Sequence, residues 1–403
     1  MEKYLRDQLA ATIRYLPASI AASYLKKAVS PESERIRRQN GGFIRGVCHP
    51  TEDFDQITGA GIRWIRVDIP YPFRDGGPSP SYTAFKERMK RFVDHGISVM
   101  AVTPFPKDFI AAGVDPRKPE DEPRVREIAS FLAADLQGVV GALQICNEMG
   151  VPRFMEPLTS GQAVRYMGIQ LEAVSLVKGD VLVGYNSAGP QCDQHAAMRP
   201  FHKYCDYVGF DWYAGCFFKR WSRMWTYDMI IRYLWGLTGK PVILCEFGYM
   251  GGGAPRTVEE KRGILNRYGA SSEEEARQNI REFVERMPPR MKEKVINHAS
   301  GDWGDFLFES DFKEHLYSEL PAEHVMPGCP HTPEGQAKYY ADILPRLEKH
   351  PYLAGAFIYC YADSRRCYYC GQEDCPIETQ WGLTTVDGKE KPAYYAVRKA
   401  WLK

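Results

Sequence analysis

A chain of 403 residues, 44 % of them hydrophobic, can bury a large core as one big domain or two ordinary ones. Its net charge of +1 gives no footing for a nucleic-acid partner, and no stretch approaches the ~20 apolar residues that cross a bilayer. Arg14 and Pro17 interrupt the apolar run a secretory signal needs, and several of the 11 cysteines fall inside apolar runs, which suits a reducing, cytoplasmic setting.

Residues 3 to 38 read as one or two helices. Leu5, Leu9, Ile13 and Leu16 share a face, with Lys and Arg opposite. This predicts an N-terminal helical extension over residues 1–40, packed on the body of the protein; a membrane-surface or partner-binding helix is the alternative.

From Gly42 onward eight short apolar runs follow one another: Phe43–Val47, Ile62–Ile69, Ile97–Val102, Ala142–Cys146, Val181–Tyr185, Tyr207–Phe210, Val242–Cys245 and Ala354–Tyr361. Segments with helical spacing separate them, such as Tyr82–His95, Pro123–Leu136 and Gly161–Lys178. Strand–helix alternation implies parallel pairing with right-handed crossovers. Eight repeats predict a single (β/α)8 barrel over residues 41–403 rather than an open doubly wound sheet. Polar residues cluster just after these runs: His49, Arg66, Asp68, Asn147, Glu148, Asp211, Tyr213, Glu246 and Asp363. In a barrel all of them gather at the C-terminal mouth, where such folds keep their sites.

One connection is far too long. Residues 250–333 separate the seventh run from its helix near Pro333 and contain helices of their own. Ser272 with Glu275 makes a capping-box pattern before Ala276–Met287. Long insertions are usually functional, so this one is expected to form a lid or wall over the mouth.

Two of the runs end in acids that a buried strand would not carry without use: Ala142-Leu143-Gln144-Ile145-Cys146-Asn147-Glu148 and Pro241-Val242-Ile243-Leu244-Cys245-Glu246. A pair of carboxylates facing one another is what glycosidic-bond hydrolysis requires: one donates a proton to the leaving oxygen, and in retaining enzymes the other, ~5–5.5 Å away, is the nucleophile. One acid must stay protonated while the other stays ionised. Arg66 and Tyr213 are the candidates to hold Glu246 charged, and that charge would help keep Glu148 protonated. Arg66 could equally pair with Asp68.

Asn147-Glu148 ending strand four, Glu246 ending strand seven and Arg66 ending strand two resemble the retaining β-glycosidases of clan A. Gly61-Ile62-Arg63-Trp64-Ile65-Arg66 with Pro70-Tyr71-Pro72 resembles the second-strand motif of the barrel domain in the β-galactosidase and β-glucuronidase type. Tyr359-Cys360-Tyr361-Ala362-Asp363 resembles that type's eighth-strand motif, and Gly382-Leu383, Asp387-Gly388 and Lys391-Pro392 its closing segment. The resemblance runs from about residue 42 to 403, minus the insertion. It implies Glu148 as acid/base, Glu246 as nucleophile, Asn147 on the sugar 2-hydroxyl, and Arg66 and Tyr213 around Glu246. The family's strand-eight Trp is Tyr359 here, a smaller platform for the sugar. His49 is a sugar ligand or a satisfied mouth residue; Trp212 and Trp381 stack a ring or simply pack. Expected substrates are small or terminal β-linked sugars, with an endo-acting mannanase- or glucanase-like enzyme or a non-catalytic carbohydrate-binding barrel as the alternatives. No His-x-His supports a metal-dependent hydrolase, and no Lys ends strand six for a Schiff base. A homo-oligomer is left open.

No cofactor is expected for catalysis. Cys367, Cys370 and Cys375 form a C-x2-C-x4-C set after strand eight, and three thiolates need a fourth ligand for a closed zinc site. Cys329 is the expected fourth; reduced thiols and disulfides are the alternatives.

Overall fold

All eight apolar runs are strands, and they close into a parallel barrel in sequence order, β1 pairing with both β2 and β8. The strands are β1 (Ile44–Cys48), β2 (Trp64–Asp68), β3 (Ser98–Val102), β4 (Ala142–Gln144), β5 (Leu182–Tyr185), β6 (Tyr207–Asp211), β7 (Val242–Phe247) and β8 (Leu353–Ile358). Each is followed by helix: α1 (Phe54–Gly59), α2 (Pro80–Asp94), α3 (Glu122–Asp135), α4 (Ser160–Ser175), α5 (Cys192–Ala197), α6 (Trp225–Thr238), α7 (Pro333–Glu348) and α8 (Pro392–Trp401). This computed structural model describes residues 31–217, 223–298, 301–321, 324–373 and 375–402, together with 10, 13, 14, 17 and 21.

Alternation of side chains sorts the core into two layers. Ile44, Trp64, Met100, Ala142, Leu182, Tyr207, Ile243 and Phe357 point inward and fill the barrel. Their outward neighbours, among them Val47, Ile65, Val99, Leu143, Val208 and Leu244, pack under the helices. Aromatic fillers face glycine: a Cβ on Gly46 would lie 2.2 Å from the Phe357 ring, and one on Gly141 2.6 Å from Trp64.

A short helix, Pro31–Gln39, closes the N-terminal end of the barrel. Ile36 is fully buried against the barrel interior. The Arg37 guanidinium donates to the carbonyls of Glu348 (2.9 Å), His350 (3.0 Å) and Leu353, and Ser33 Oγ donates to Tyr352 O. This segment thus packs on the body of the protein. Leu5, Leu9 and Leu16 lie outside the described residues; Ile13 is described and exposed.

Among its described residues the insertion contains six short helices, between Val258 and Tyr317. The predicted helix over Ala276–Met287 is broken: Ser272 caps Glu273–Gln278, Asn279 interrupts, and Ile280–Glu285 follows. Ser272 Oγ accepts from Glu275 N as expected, but the Glu275 carboxylate turns to Ser271, accepting from its N (2.7 Å) and Oγ (2.6 Å). Among the described residues no helix is long and apolar enough to cross a membrane.

Candidate active site

The ends of β1, β2, β4, β6 and β7 and the loops after β3, β4, β5 and β8 enclose a cavity of about 560 Å³ at the C-terminal mouth. His49, Arg66, Asp68, Asn147, Glu148, Asp211, Tyr213, Glu246 and Tyr359 all line it. Asp363 does not; its carboxylate takes Lys391 Nζ at 2.9 and 3.0 Å and Gly382 N at 2.7 Å, fastening the closing segment to the end of β8.

Strict alternation along β7 would turn Glu246 away from the mouth, because Ile243 and Cys245 already point inward. A bulge corrects this. Phe210 pairs with Leu244, yet Asp211 pairs with Glu246, and on the other side Ala356 and Ile358 pair with Leu244 and Phe247. The extra residue in β7 re-aims the glutamate into the cavity. At the end of β4 the backbone does the same work. Cys146 (φ 57°) and Glu148 (φ 46°) are left-handed, as is His49 (φ 51°) after β1. Such φ values cost a non-glycine residue of order 1–3 kcal/mol and collect where geometry is over-determined.

Once turned inward, Glu246 is gripped from two sides. Arg66 Nη1 meets Oε1 at 2.5 Å, and the Tyr213 hydroxyl donates to Oε2. Arg66 is buried and pairs with Glu246, not with exposed Asp68. Its other nitrogens reach Gln144 Oε1 (2.9 Å) and Asn147 Oδ1 (2.6 Å). Asn147 Oδ1 also accepts from Asn186 Nδ2 at 2.7 Å and Gln144 Nε2 at 3.3 Å. Three converging donors fix which end of that amide is oxygen, so the NH2 group is the end left for the cavity.

Glu148 has a different environment. Burial, and then the negative charge of Glu246, push its carboxyl up to about 7. Arg153 and a hydrogen bond with Asp211 act in the opposite direction. Asp211 is itself pushed well up, by burial first and then by Glu246 and Glu148. Asn186 Nδ2 satisfies Asp211 Oδ2 at 2.7 Å, while Oδ1 is buried without a partner among the described residues. Asn186 Oδ1 meanwhile accepts from the Glu148 backbone N–H at 3.0 Å. The arrangement is three carboxyls around one guanidinium and one phenol, and two of the carboxyls, Glu148 and Asp211, are held above the ordinary carboxylate range.

The outer wall was not foreseen. Phe105 and Lys107 come from the loop after β3, Arg153 and Phe154 from that after β4, and Tyr368, Glu378 and Trp381 from that after β8. Arg153 Nη1 donates to Tyr368 OH at 2.6 Å and covers the Phe154 ring at 4.3 Å. Burial pushes Glu378 up to about 7 against its hydrogen bond with Tyr368. Apart from Trp381, weighed as stacking or packing, these residues sit in strand-to-helix connections, most of them on or at the cap of helices of four to six residues (Pro106–Ala111, Pro152–Met155, Pro376–Thr379), too short for periodicity to mark them.

Three expectations are corrected. Trp212 does not reach the cavity: it is buried behind Gly189 and donates from Nε1 to Thr226 Oγ1 at 3.0 Å. The residue after an inward-facing Asp211 must point outward, so alternation decides against it. No described residue of the insertion lines the cavity. It packs instead behind the β8 loop, where Tyr268 OH donates to Gln372 Oε1 (3.0 Å) and Gln372 Nε2 donates to His315 O (2.7 Å). Cys329 does not join the other three thiols: it is buried, with its carbonyl accepting the Tyr249 hydroxyl, and the group near Cys367, Cys370 and Cys375 is His315. Tyr359 does face the cavity, edge-on to His49 at 5.2 Å, Tyr213 at 5.9 Å and Trp381 at 5.9 Å.

No protein-family model matches the chain, and no curated protein matches it. Solved structures share its fold. A family 39 glycoside hydrolase from Bacteroides cellulosilyticus WH2 superposes with a TM-score of 0.55 at 14 % identity, over 89 % of this chain and 63 % of that one. The GH53 catalytic domain of Ignisphaera aggregans gives 0.53 at 15 %, over 89 % and 96 %. A GH2 β-galacturonidase from Eisenbergiella tayi, bound to galacturonate, gives 0.50 at 12 %, over 89 % and 51 %. The chain thus spans about half the length of the galacturonidase. The fold is the (β/α)8 barrel that clan A glycosidases use.

Proposed function

We propose that the chain is a retaining β-glycoside hydrolase acting on small or terminal β-linked sugars. The observation that carries this is the unequal pair of glutamates in one cavity: Glu246 held by Arg66 and Tyr213, and Glu148 pushed up to about 7. Supporting it are the left-handed turn after β4 and the bulge in β7, which cost regular structure only to aim these two side chains.

In the first step Glu148 gives its proton to the glycosidic oxygen while Glu246 attacks the anomeric carbon, and the leaving alcohol departs. The glycosylated Glu246 carries no charge. Its push on Glu148 disappears, so the Glu148 carboxylate becomes easier to form and then takes a proton from the incoming water. Water attacks the same carbon, and Glu246 leaves with its charge restored. The Asn147 NH2 group would donate to the 2-hydroxyl, and Tyr359 and Trp381 would border the ring. Volume favours a small ligand: about 560 Å³ lies within the ordinary range for small-molecule sites. A reducing compartment is part of this proposal, supported by 11 cysteines that are all buried and free of disulfides.

The test is a panel of nitrophenyl sugars in both anomeric series, including β-galactosides, β-glucosides and β-uronides, with the product anomer followed by NMR. Turnover of one β-sugar with retained configuration is expected. An inverted product, or no turnover across the panel with binding intact, ends the reading.

A further inference from the structure

Behind the cavity wall lies a second cluster that the catalytic reading does not use. His315 stands on the insertion helix Phe312–Tyr317, and Cys367, Cys370 and Cys375 on the β8 loop. One ligand atom from each lies within 4.8 Å of all the others. His315 Nδ1 is 3.8 Å from Cys367 Sγ and 3.5 Å from Cys375 Sγ. A tetrahedral zinc with Zn–S of about 2.3 Å and Zn–N of about 2.0–2.1 Å sets each S···N edge at roughly 3.5–3.6 Å. The three thiols are buried together without a disulfide.

The loop is shaped for the same purpose. In Cys367-Tyr368-Tyr369-Cys370-Gly371 the chain turns back on itself: Gly371 N donates to Cys367 O at 2.8 Å, and Gly371 has φ 79°. A Cβ there would also press on Arg290 at 3.1 Å. The turn aims N–H groups at sulfur. Cys370 N lies 3.4 Å from Cys367 Sγ, and Gln372 Nε2 lies 3.5 Å from Cys370 Sγ. Donors on thiolate sulfur are the usual outer support of a metal-thiolate centre. Gln372 then reaches His315 O, tying the two ligand segments together.

We propose that His315, Cys367, Cys370 and Cys375 bind one zinc ion, a structural site that fastens the β8 loop to the insertion. All four positions are protein ligands, so the metal has no open position for chemistry. Its effect on the cavity is indirect. Tyr368 sits between two of the ligands and Glu378 lies shortly beyond the third, and both line the cavity. The proposal goes beyond the glycosidase reading and does not depend on it, because its readouts need no substrate.

Protein purified reduced and without chelator should carry one zinc per chain by atomic emission. Replacing the zinc by Co2+ should give thiolate-to-cobalt charge transfer and the intense visible bands of a tetrahedral ion. His315→Ala and Cys370→Ser should lose the metal; Cys329→Ser should keep it. Should the ligand variants fail to fold, the cobalt spectrum of the unaltered chain stands by itself, together with a count of all 11 thiols after denaturation of anaerobically prepared, metal-stripped protein. A reduced chain that takes up neither zinc nor cobalt overturns the proposal, as does a thiol count of nine or a Cys329→Ser chain that loses the metal.

Discussion

The two sides of the cavity are built by different means. On the side of β2, β4, β6 and β7, Arg66, Asn147, Asp211, Tyr213 and Glu246 stand at strand ends or just beyond them, and each is fixed by at least one hydrogen bond to a group from another strand or its following turn. On the β8 side Tyr368, Glu378 and Trp381 ride on the long connection after the strand, backed by the insertion and the cysteine cluster. Reaction chemistry tolerates little misplacement, so it belongs on the staves. A wall that recognises the rest of a ligand can be remade loop by loop.

If this division is right, the largest losses come from the strand ends. Glu246→Gln should lower kcat on aryl β-glycosides by about 10⁴-fold or more, since the variant keeps shape but has no nucleophile; retained turnover would put the nucleophile elsewhere. Glu148→Ala should cost about 10²–10⁴-fold on substrates with poor leaving groups and far less on activated aryl ones. In the unaltered protein kcat/KM for poor leaving groups should fall as pH rises past about 7. The sign follows from the raised carboxyl: the proton needed for donation is present below that pH and lost above it. Comparable losses in Glu148→Ala on both substrate kinds would break the assignment.

Smaller effects sharpen the contrast. Tyr213→Phe removes one donor from Glu246 and should cost about 10²-fold in kcat. Glu378→Gln, on the loop side, should change KM by less than about tenfold, leave kcat almost intact and leave the basic limb of the pH profile where it is. A Glu378→Gln chain whose basic limb moves would make Glu378, also raised to about 7, the titrating acid. It would also erase the difference between the two sides.

Much of the strand side was legible in the sequence, because period-two alternation and apolar run length mark buried strands, and an acid ending such a run stands out. The barrel and the two glutamates at strand ends follow from that; the partner of Arg66 stayed open between Asp68 and Glu246 until the folded barrel decided it. The bulge at Cys245 was not legible, since it adds one residue to a run that reads as regular. Trp212 stayed open between stacking and packing for want of a register that only the closed barrel fixes. The fourth member of the cysteine cluster could not be found from spacing: His315 is one histidine among nine, distant in sequence, and only folding of the insertion brings it near. The lid was inferred from loop length, and length says nothing of which way an insertion leans.

Asn147 carries a consequence for what the pocket accepts. With its carbonyl saturated by Arg66, Asn186 and Gln144, the amide cannot turn over without stranding three buried donors. The pocket floor there has a fixed polarity: it offers hydrogens and takes none. A partner must bring a lone pair to that spot, so a 2-deoxy sugar should be held more weakly than its hydroxyl-bearing twin.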